Sequence, residues 1–183
     1  MLPAQTSDLH VVLGEPLGLA PTGALEEIFF AGGCFWGVER IFWQTTGVVA
    51  TAVGYMGGRT PSPSYMQVSS GLTGHAETVR VIYDTKVVST EELAAIFFEN
   101  HDPTQVNRQG GDIGTQYRSA IWTTTDRQAE VVAQVKAAYQ RKLAAEGFGA
   151  LATVVHTPPA PTFYLAEDFH QGYLHKNPTG YCN

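Results

Sequence analysis

The 183-residue chain has little cysteine, little charge and no long apolar run. Its two cysteines, Cys34 and Cys182, are too few for a disulfide scaffold and cannot build a four-thiolate metal site. Only 15% of the residues are charged, and 11 basic against 17 acidic side chains give a formal net charge of −6. That balance leaves no basic footprint for a phosphate backbone, so nucleic acid is not an expected partner. The longest uninterrupted apolar run is Leu93–Phe98, far short of the roughly 20 residues that span a bilayer, so no membrane partner is expected either. The first Lys or Arg is Arg40; the N-terminus therefore lacks the charged start of a signal or transit peptide, and a cytoplasmic location is the expectation. What is present is a 44% hydrophobic, 11% aromatic composition, enough apolar side chain to close the core of one domain. Disorder, collagen and coiled coil are excluded by the same figures.

Residues 1–25 are punctuated by Pro and Gly and read as an extended N-terminal arm; residues 26–183 form the domain proper. Glu27–Ala31 is a short apolar run with the length of a buried strand. Trp36–Gln44 follows with a helical period, Val38, Ile41 and Phe42 at i, i+3 and i+4. Val48–Val53 and Thr78–Tyr83 are β-branched and strand-like. Between them the Gly- and Pro-dense stretch 54–74 is too long for a hairpin turn, and long loops of this kind are commonly functional. Ser89 with Glu92 makes a capping box for a second helix. A further long loop covers 100–116, then a strand at Ser119–Thr123. Thr125 with Gln128 starts the longest helix, which Gly147 ends. A last strand at Thr153–His156 precedes an aromatic, loop-rich tail from residue 158, expected to be mobile, with a short helical stretch near 166–175. Strands interleaved with helices predict a single-domain α/β (α+β) two-layer sandwich, a mixed sheet with helices packed against it.

The run Gly32-Gly33-Cys34-Phe35-Trp36-Gly37 puts a cysteine where a strand gives way to a helix. Free N–H groups at a helix start favour the thiolate, the reactive form of cysteine. By that effect alone the thiol would fall from about 8.5 to about 7.5. Most free cysteines are small buried packing residues, but a core position does not need flanking glycines, which let a ligand approach the backbone. At about 100° per residue Phe35 shares the face of Val38 and Phe42, whereas Trp36 lies opposite. The spacing leaves open whether Trp36 walls a pocket or packs under a loop.

Two glycine-rich loops, Gly71–Glu77 and Gly111–Ser119, run into strand starts that read as neighbours, each with a carboxylate, Glu77 and Asp112. Alone, Glu77 reads as a solvated edge charge and Asp112 as a turn residue, and Tyr65 and Tyr117 as half-buried packing. The six histidines are scattered, and His170 and His175 stand i, i+5 rather than at zinc-helix spacing. Neither Gly57-Gly58 nor Gly110-Gly111 precedes the Lys-Ser/Thr of a phosphate loop, so neither a metal nor a nucleotide is expected.

Four blocks in register, Gly33–Gly37, Gly74–Glu77, Asp112–Ser119 and Lys176–Cys182, resemble the peptide methionine sulfoxide reductase A family from about Ile28 to Cys182. The resemblance implies an enzyme selective for the S epimer of methionine sulfoxide, in proteins or free, on a fold related to ferredoxin-like sandwiches. It implies that Cys34 is the nucleophile at the sulfoxide sulfur and that Phe35 and Trp36 wall the methyl group. Glu77 would protonate the sulfoxide oxygen, Tyr65 and Tyr117 would hydrogen-bond it, and Asp112 would line the pocket. Cys182 would resolve the Cys34 sulfenic acid as a disulfide, which thioredoxin would reduce, with no bound cofactor and the chain acting as a monomer. Sulfoxide oxygen leaves only when protonated, and an apolar wall raises a carboxyl pKa; the residue types therefore suit the chemistry. Many members continue in a glycine-rich tail with a further cysteine, whereas this chain stops at Asn183, so a single Cys34–Cys182 recycling step is expected. Three alternatives stay open at this level: a cysteine hydrolase using His75 or His170 as base, a module that only binds oxidised methionine, and a thiol that reduces peroxide.

Overall fold

The structure is a computed structural model that describes residues 8–181. Its centre is strand β1 (Leu25–Gly32), which leads into helix α1 (Phe35–Trp43); strand β2 (Val48–Met56), the short helix α2 (Tyr65–Ser69) and strand β3 (Ala76–Asp84) follow. Helix α3 (Thr90–Glu99), the two-residue strands β4 (Arg108–Gln109) and β5 (Asp112–Ile113), a 3-10 turn at Thr115–Tyr117 and strand β6 (Ser119–Thr123) come next. The chain closes with helix α4 (Asp126–Ala145), strands β7 (Val154–His156) and β8 (Tyr164–Leu165), a 3-10 turn at Asp168–His170 and the one-turn helix α5 (Tyr173–Lys176).

The main sheet has the order β7-β6-β1-β3-β2-β8. All pairings are antiparallel except β6 with β7, which is parallel, so the sheet is mixed, as expected. Its β1-α1-β2-β3-α3-β6 core is the βαββαβ arrangement of ferredoxin-like sandwiches. Alternation along β1 divides the core: Ile28 and Phe30 face the helices with Val38, Phe42, Leu93, Phe97 and Val132, while Phe29 and Ala31 join Met56, Ala120 and Trp122 on the far side under Phe163. Both faces are covered, and β1 accordingly reads as a continuous apolar run rather than an alternating one.

The capping boxes explain where the helices begin. Ser89 accepts from the Glu92 amide while Glu92 accepts from the Ser89 amide. Thr125 accepts from Gln128 N at α4. Ser64 and Gln67 form a second complete box, which turns part of the expected loop 54–74 into α2. Of the apolar residues in α4, only Val132 is fully buried; the helix lies on the surface against α3.

Two expectations are corrected. Residues 8–17 close into a loop instead of an extended arm: Leu17 N bonds Asp8 O and Gly14 N bonds His10 O, both at 2.8 Å, Gly14 taking a φ of 72° to reverse the chain. The tail is docked through residue 176 rather than mobile. Strand β8 pairs with β2, and Ala166 N continues the pairing by donating to Val53 O at 3.0 Å. The Gln171 side chain clasps both Val53 N and Val53 O at 2.9 Å, giving the Val53 N–H its acceptor. Cys182 and Asn183 lie outside the described residues. Among those described, no helix is long and apolar enough to cross a membrane.

Phe30 is wholly buried, its ring 4.5 Å from Phe42 and 5.1 Å from Phe97 by centroids. Phe30→Ala is expected to lower unfolding stability by about 3–5 kcal/mol, read as a shift in the urea midpoint with an unchanged slope.

Candidate active site

The strand order decides where the site forms. β1 lies between β3 and β6 and runs antiparallel to both. The starts of β3 and β6 are therefore not neighbours, as the sequence reading had them, but flank the end of β1. The chain leaves β1 through Gly33, whose φ of 102° and Cβ position, 2.7 Å from Gln109 Cβ, admit only glycine. Cys34 follows as the N-cap of α1. Glu77 arrives from β3, and Asp112 and Tyr117 from the loop before β6. Arg118 ties the two glycine-rich loops together, donating to Gly74 O and Thr115 O at 3.0 Å each.

Glu77 is 2% exposed, and its Oε2 accepts the backbone N–H of Phe35 at 3.0 Å. Burial drives its carboxyl up to about 8, against the stabilising Phe35 N–H, with the negative charge of Asp112 adding to the rise. The group is thus mostly protonated at neutral pH. The Cys34 thiol, half-buried, is pushed up to about 12, first by burial and then by the charges of Glu77 and Asp112. The amides of Trp36 and Gly37 face the sulfur and pull the other way, without closing a cap hydrogen bond. This corrects the expectation of a thiol near 7.5: the helix start is present, but desolvation outweighs it. Part of the rise belongs to ionised Glu77 and disappears when that carboxyl holds its proton, so the two groups titrate as a pair.

Tyr65 and Tyr117 are raised by burial first and then by Glu77, and each also responds to Cys34 and Asp112. The structure therefore brings Cys34, Glu77, Asp112, Tyr65 and Tyr117 into one electrostatic neighbourhood. Phe35 is buried, its ring 5.8 Å from Tyr55 and 5.1 Å from His170. Trp36 stays half-buried, stacked on Tyr173 at 3.7 Å with its indole N–H donated to His170 Nδ1 at 3.0 Å. A cavity of about 240 Å³ borders Cys34 on the side of Asn100, His101 and Gln109.

Sequence reasoning missed the tail residues that hold this wall. Glu167 accepts from Tyr65 N at 2.7 Å and Tyr55 OH at 2.8 Å, locking α2 beside the site; its own carboxyl is held below the usual range despite partial burial, the Tyr65 amide being the strongest opposing influence. Only an aromatic-rich tail hinted at such a role. The two histidines considered as bases are engaged elsewhere. His75 Nδ1 accepts from Gly58 N at 3.0 Å while its Nε2 meets Thr60 O at 2.7 Å, a clamp on the loop. His170 accepts from Trp36, and burial lowers it to about 4. Among the described residues no three His, Cys, Asp or Glu side chains are grouped so as to hold a metal ion.

A thiol and a protonated carboxyl at the start of one helix, in an α/β sandwich, define a thiol-centred enzyme. The profile of the peptide methionine sulfoxide reductase family matches residues 26–183, and the chain belongs to that family. It is 54% identical to peptide methionine sulfoxide reductase MsrA 1 of Caulobacter vibrioides over 98% of this chain and 82% of that one. The structure resembles methionine sulfoxide reductase A of Corynebacterium diphtheriae with a TM-score of 0.87 at 46% identity, covering 94% and 83% of the two chains. It also resembles Mxr1 of Saccharomyces cerevisiae solved in complex with Trx2, with a TM-score of 0.60 at 28% identity over 85% and 90%.

Because folded Glu77 binds its proton more tightly than the unfolded chain does, unfolding releases a proton between about pH 4.5 and 8, and stability falls as pH rises through that window. His101 and His170, both lowered to about 4, act oppositely between about pH 4 and 6.5, since there the unfolded chain binds more protons. The Glu77 contribution is therefore expected in the difference between wild type and Glu77→Gln: urea unfolding at a series of pH values should show the variant losing less stability from pH 5 to 8.

Proposed function

We propose that this chain reduces methionine S-sulfoxide, in oxidised proteins and as the free amino acid, to methionine. The observation that carries the reading is the Glu77 carboxyl, buried, protonated at neutral pH and anchored on the amide that follows Cys34. Cys34 attacks the sulfoxide sulfur as Glu77 gives its proton to the oxygen and takes up the thiol proton in turn; the sulfoxide S–O bond breaks as a Cys34 S–O bond forms, methionine leaves, and Cys34 remains as a sulfenic acid. Tyr65 and Tyr117, raised above the ordinary phenol range and acting with Glu77, stay protonated and can donate to the oxygen. Phe35 and Trp36 supply an apolar surface for the methyl group, and Asp112 lines the polar side. An acid adjacent to the thiol is needed to remove an oxide but not to hydrolyse an acyl group, and neither His75 nor His170 is available as base.

Cys182, the second of the two cysteines, then condenses with the sulfenic acid, releasing water and forming a Cys34–Cys182 disulfide. Support comes from Tyr181, one residue earlier, whose hydroxyl donates to Asp112 Oδ1 at 3.2 Å. A dithiol of the thioredoxin kind returns both cysteines to thiols, taking the disulfide itself; the likeness to a relative solved with Trx2 favours that reductant. Electrons come from thiols throughout, so no bound cofactor is required, and the cycle suits a reducing cytoplasm and a monomer.

Intact mass tests the cycle. Reduced wild type mixed with a methionine S-sulfoxide peptide, without reductant, should lose two hydrogens, and Cys182→Ser should gain one oxygen. No mass change and no methionine would remove the reading; methionine with only a sulfenic acid in wild type would discard Cys182. In steady state with thioredoxin, Glu77→Gln should cost about 10²–10⁴ in kcat/KM and His75→Ala far less. The reverse ranking would favour a hydrolase.

A further inference from the structure

Glu39 stands five residues after Cys34 on α1, fully buried on the face that also buries Phe35 and Phe42. A buried acid is tolerated only where donors surround it, and three converge here. His10 Nε2 lies 3.0 Å and Thr51 Oγ1 3.2 Å from Glu39 Oε1; the Gly172 N–H donates to Glu39 Oε2 at 2.9 Å. The His10 tautomer follows from its other nitrogen: Nδ1 accepts the N–H groups of Val12 and Leu13 at 3.1 and 3.0 Å, which leaves the proton on Nε2, directed at Glu39. One side chain of the nucleophile's helix thus joins the N-terminal loop, β2 and the tail, and the sulfoxide chemistry uses none of these contacts.

Gly172 is the link to the site. Two residues before it, His170 accepts the Trp36 indole N–H; one residue after it, Tyr173 stacks on the Trp36 ring. Gly172 takes a φ of 61°, and a Cβ there would meet Val11 Cγ1 at 2.2 Å. The N-terminal loop therefore lies directly on the tail at the point where the tail turns to grip Trp36. His10 also packs edge-on against Trp43 of the same helix at 5.7 Å.

We infer that Glu39 and His10 are positioning residues for substrate binding: the N-terminal loop, through Glu39 and Gly172, sets the height of the His170–Tyr173 clamp and hence the orientation of the Trp36 wall. The inference rests on the reading of Trp36 as a wall of the sulfoxide pocket. Neither residue touches substrate. A loss of the brace lets the indole rotate, weakening binding of the methyl group while Cys34 and Glu77, fixed by β1, β3 and the Phe35 amide, keep their chemistry.

His10→Ala and Glu39→Gln are compared with wild type in two assays. The first is steady-state reduction of a methionine S-sulfoxide peptide with thioredoxin. The second is solvent exchange of the tryptophan indole N–H signals by NMR, with Trp36→Phe identifying the Trp36 signal and Trp122, buried on the far face of the sheet, as internal reference. Expected are a KM raised about 5–20-fold, a kcat within about twofold, and Trp36 exchange accelerated about tenfold or more relative to Trp122. His10→Gln, which keeps a side-chain donor, should recover part of the change. Should Glu39→Gln fail to fold, Val11→Ala, at a residue 44% exposed, loosens the same contact and should move both readouts in the same direction by less. An unaltered Trp36 signal, or equal acceleration of Trp36 and Trp122, overturns the inference, since a merely structural role moves both or neither. Faster Trp36 exchange with an unchanged KM overturns its link to binding. Wild type that turns over no sulfoxide would instead remove the reading of the pocket, with the exchange data still deciding whether the brace holds Trp36.

Discussion

Keeping water from one carboxyl is the constraint on which the rest of the structure depends. Glu77 sits almost fully buried on the first amide of α1, and its proton is retained because the charged form has no water to stabilise it. The same dryness keeps the Cys34 thiol protonated at rest. An exposed Glu77 would ionise and oppose thiolate formation by charge; a buried one stores a proton beside the sulfur. The helix N-terminus, often taken as the sufficient activator of a cysteine, is here the weaker influence.

That dryness is a product of topology. Antiparallel neighbours on both sides of β1 bring three chain segments to one end of the sheet, and the Arg118 guanidinium fixes the spacing of two of them through carbonyls rather than charges. The tail then closes the remaining side, with Glu167 holding α2 and His170 and Tyr173 holding Trp36. The site is thus assembled from contacts distant in sequence, and its rigidity comes from backbone groups that side chains clasp.

The fold was legible in part. β1, α1, α3, β6 and α4 lie where periodicity and capping residues put them, because these signals are local: a Ser-x-x-Glu box or an apolar stripe acts within one turn or one strand. Strand β8 was not separable from loop, since two residues carry no period and exist only through tertiary pairing; helix α5 was legible only as a short helical stretch near 166–175, its bounds set by packing. The docking of the tail rests on the Gln171 amide, whose partners Val53 and Ala166 no spacing rule connects. Of the site, Cys34 between glycines stood out by itself, whereas Glu77 and Asp112 read as solvated charges until the four motif blocks were taken together. Glu39 was invisible for the same reason: an acid in a helix reads as solvent-facing unless its donors are known.

The sequence by itself determined the class of chemistry and the secondary structure that carries it: a cysteine at a strand–helix junction, an acid and two tyrosines in glycine-rich loops, and a family signature over most of the chain. Only the tertiary structure decided the protonation states. A pKa depends on how much water and which charges surround a group, and those neighbours come from β1, β3 and the loop before β6, brought together by sheet order. It alone also decided which face of Trp36 is held, because the clamp comes from residues more than 130 positions away.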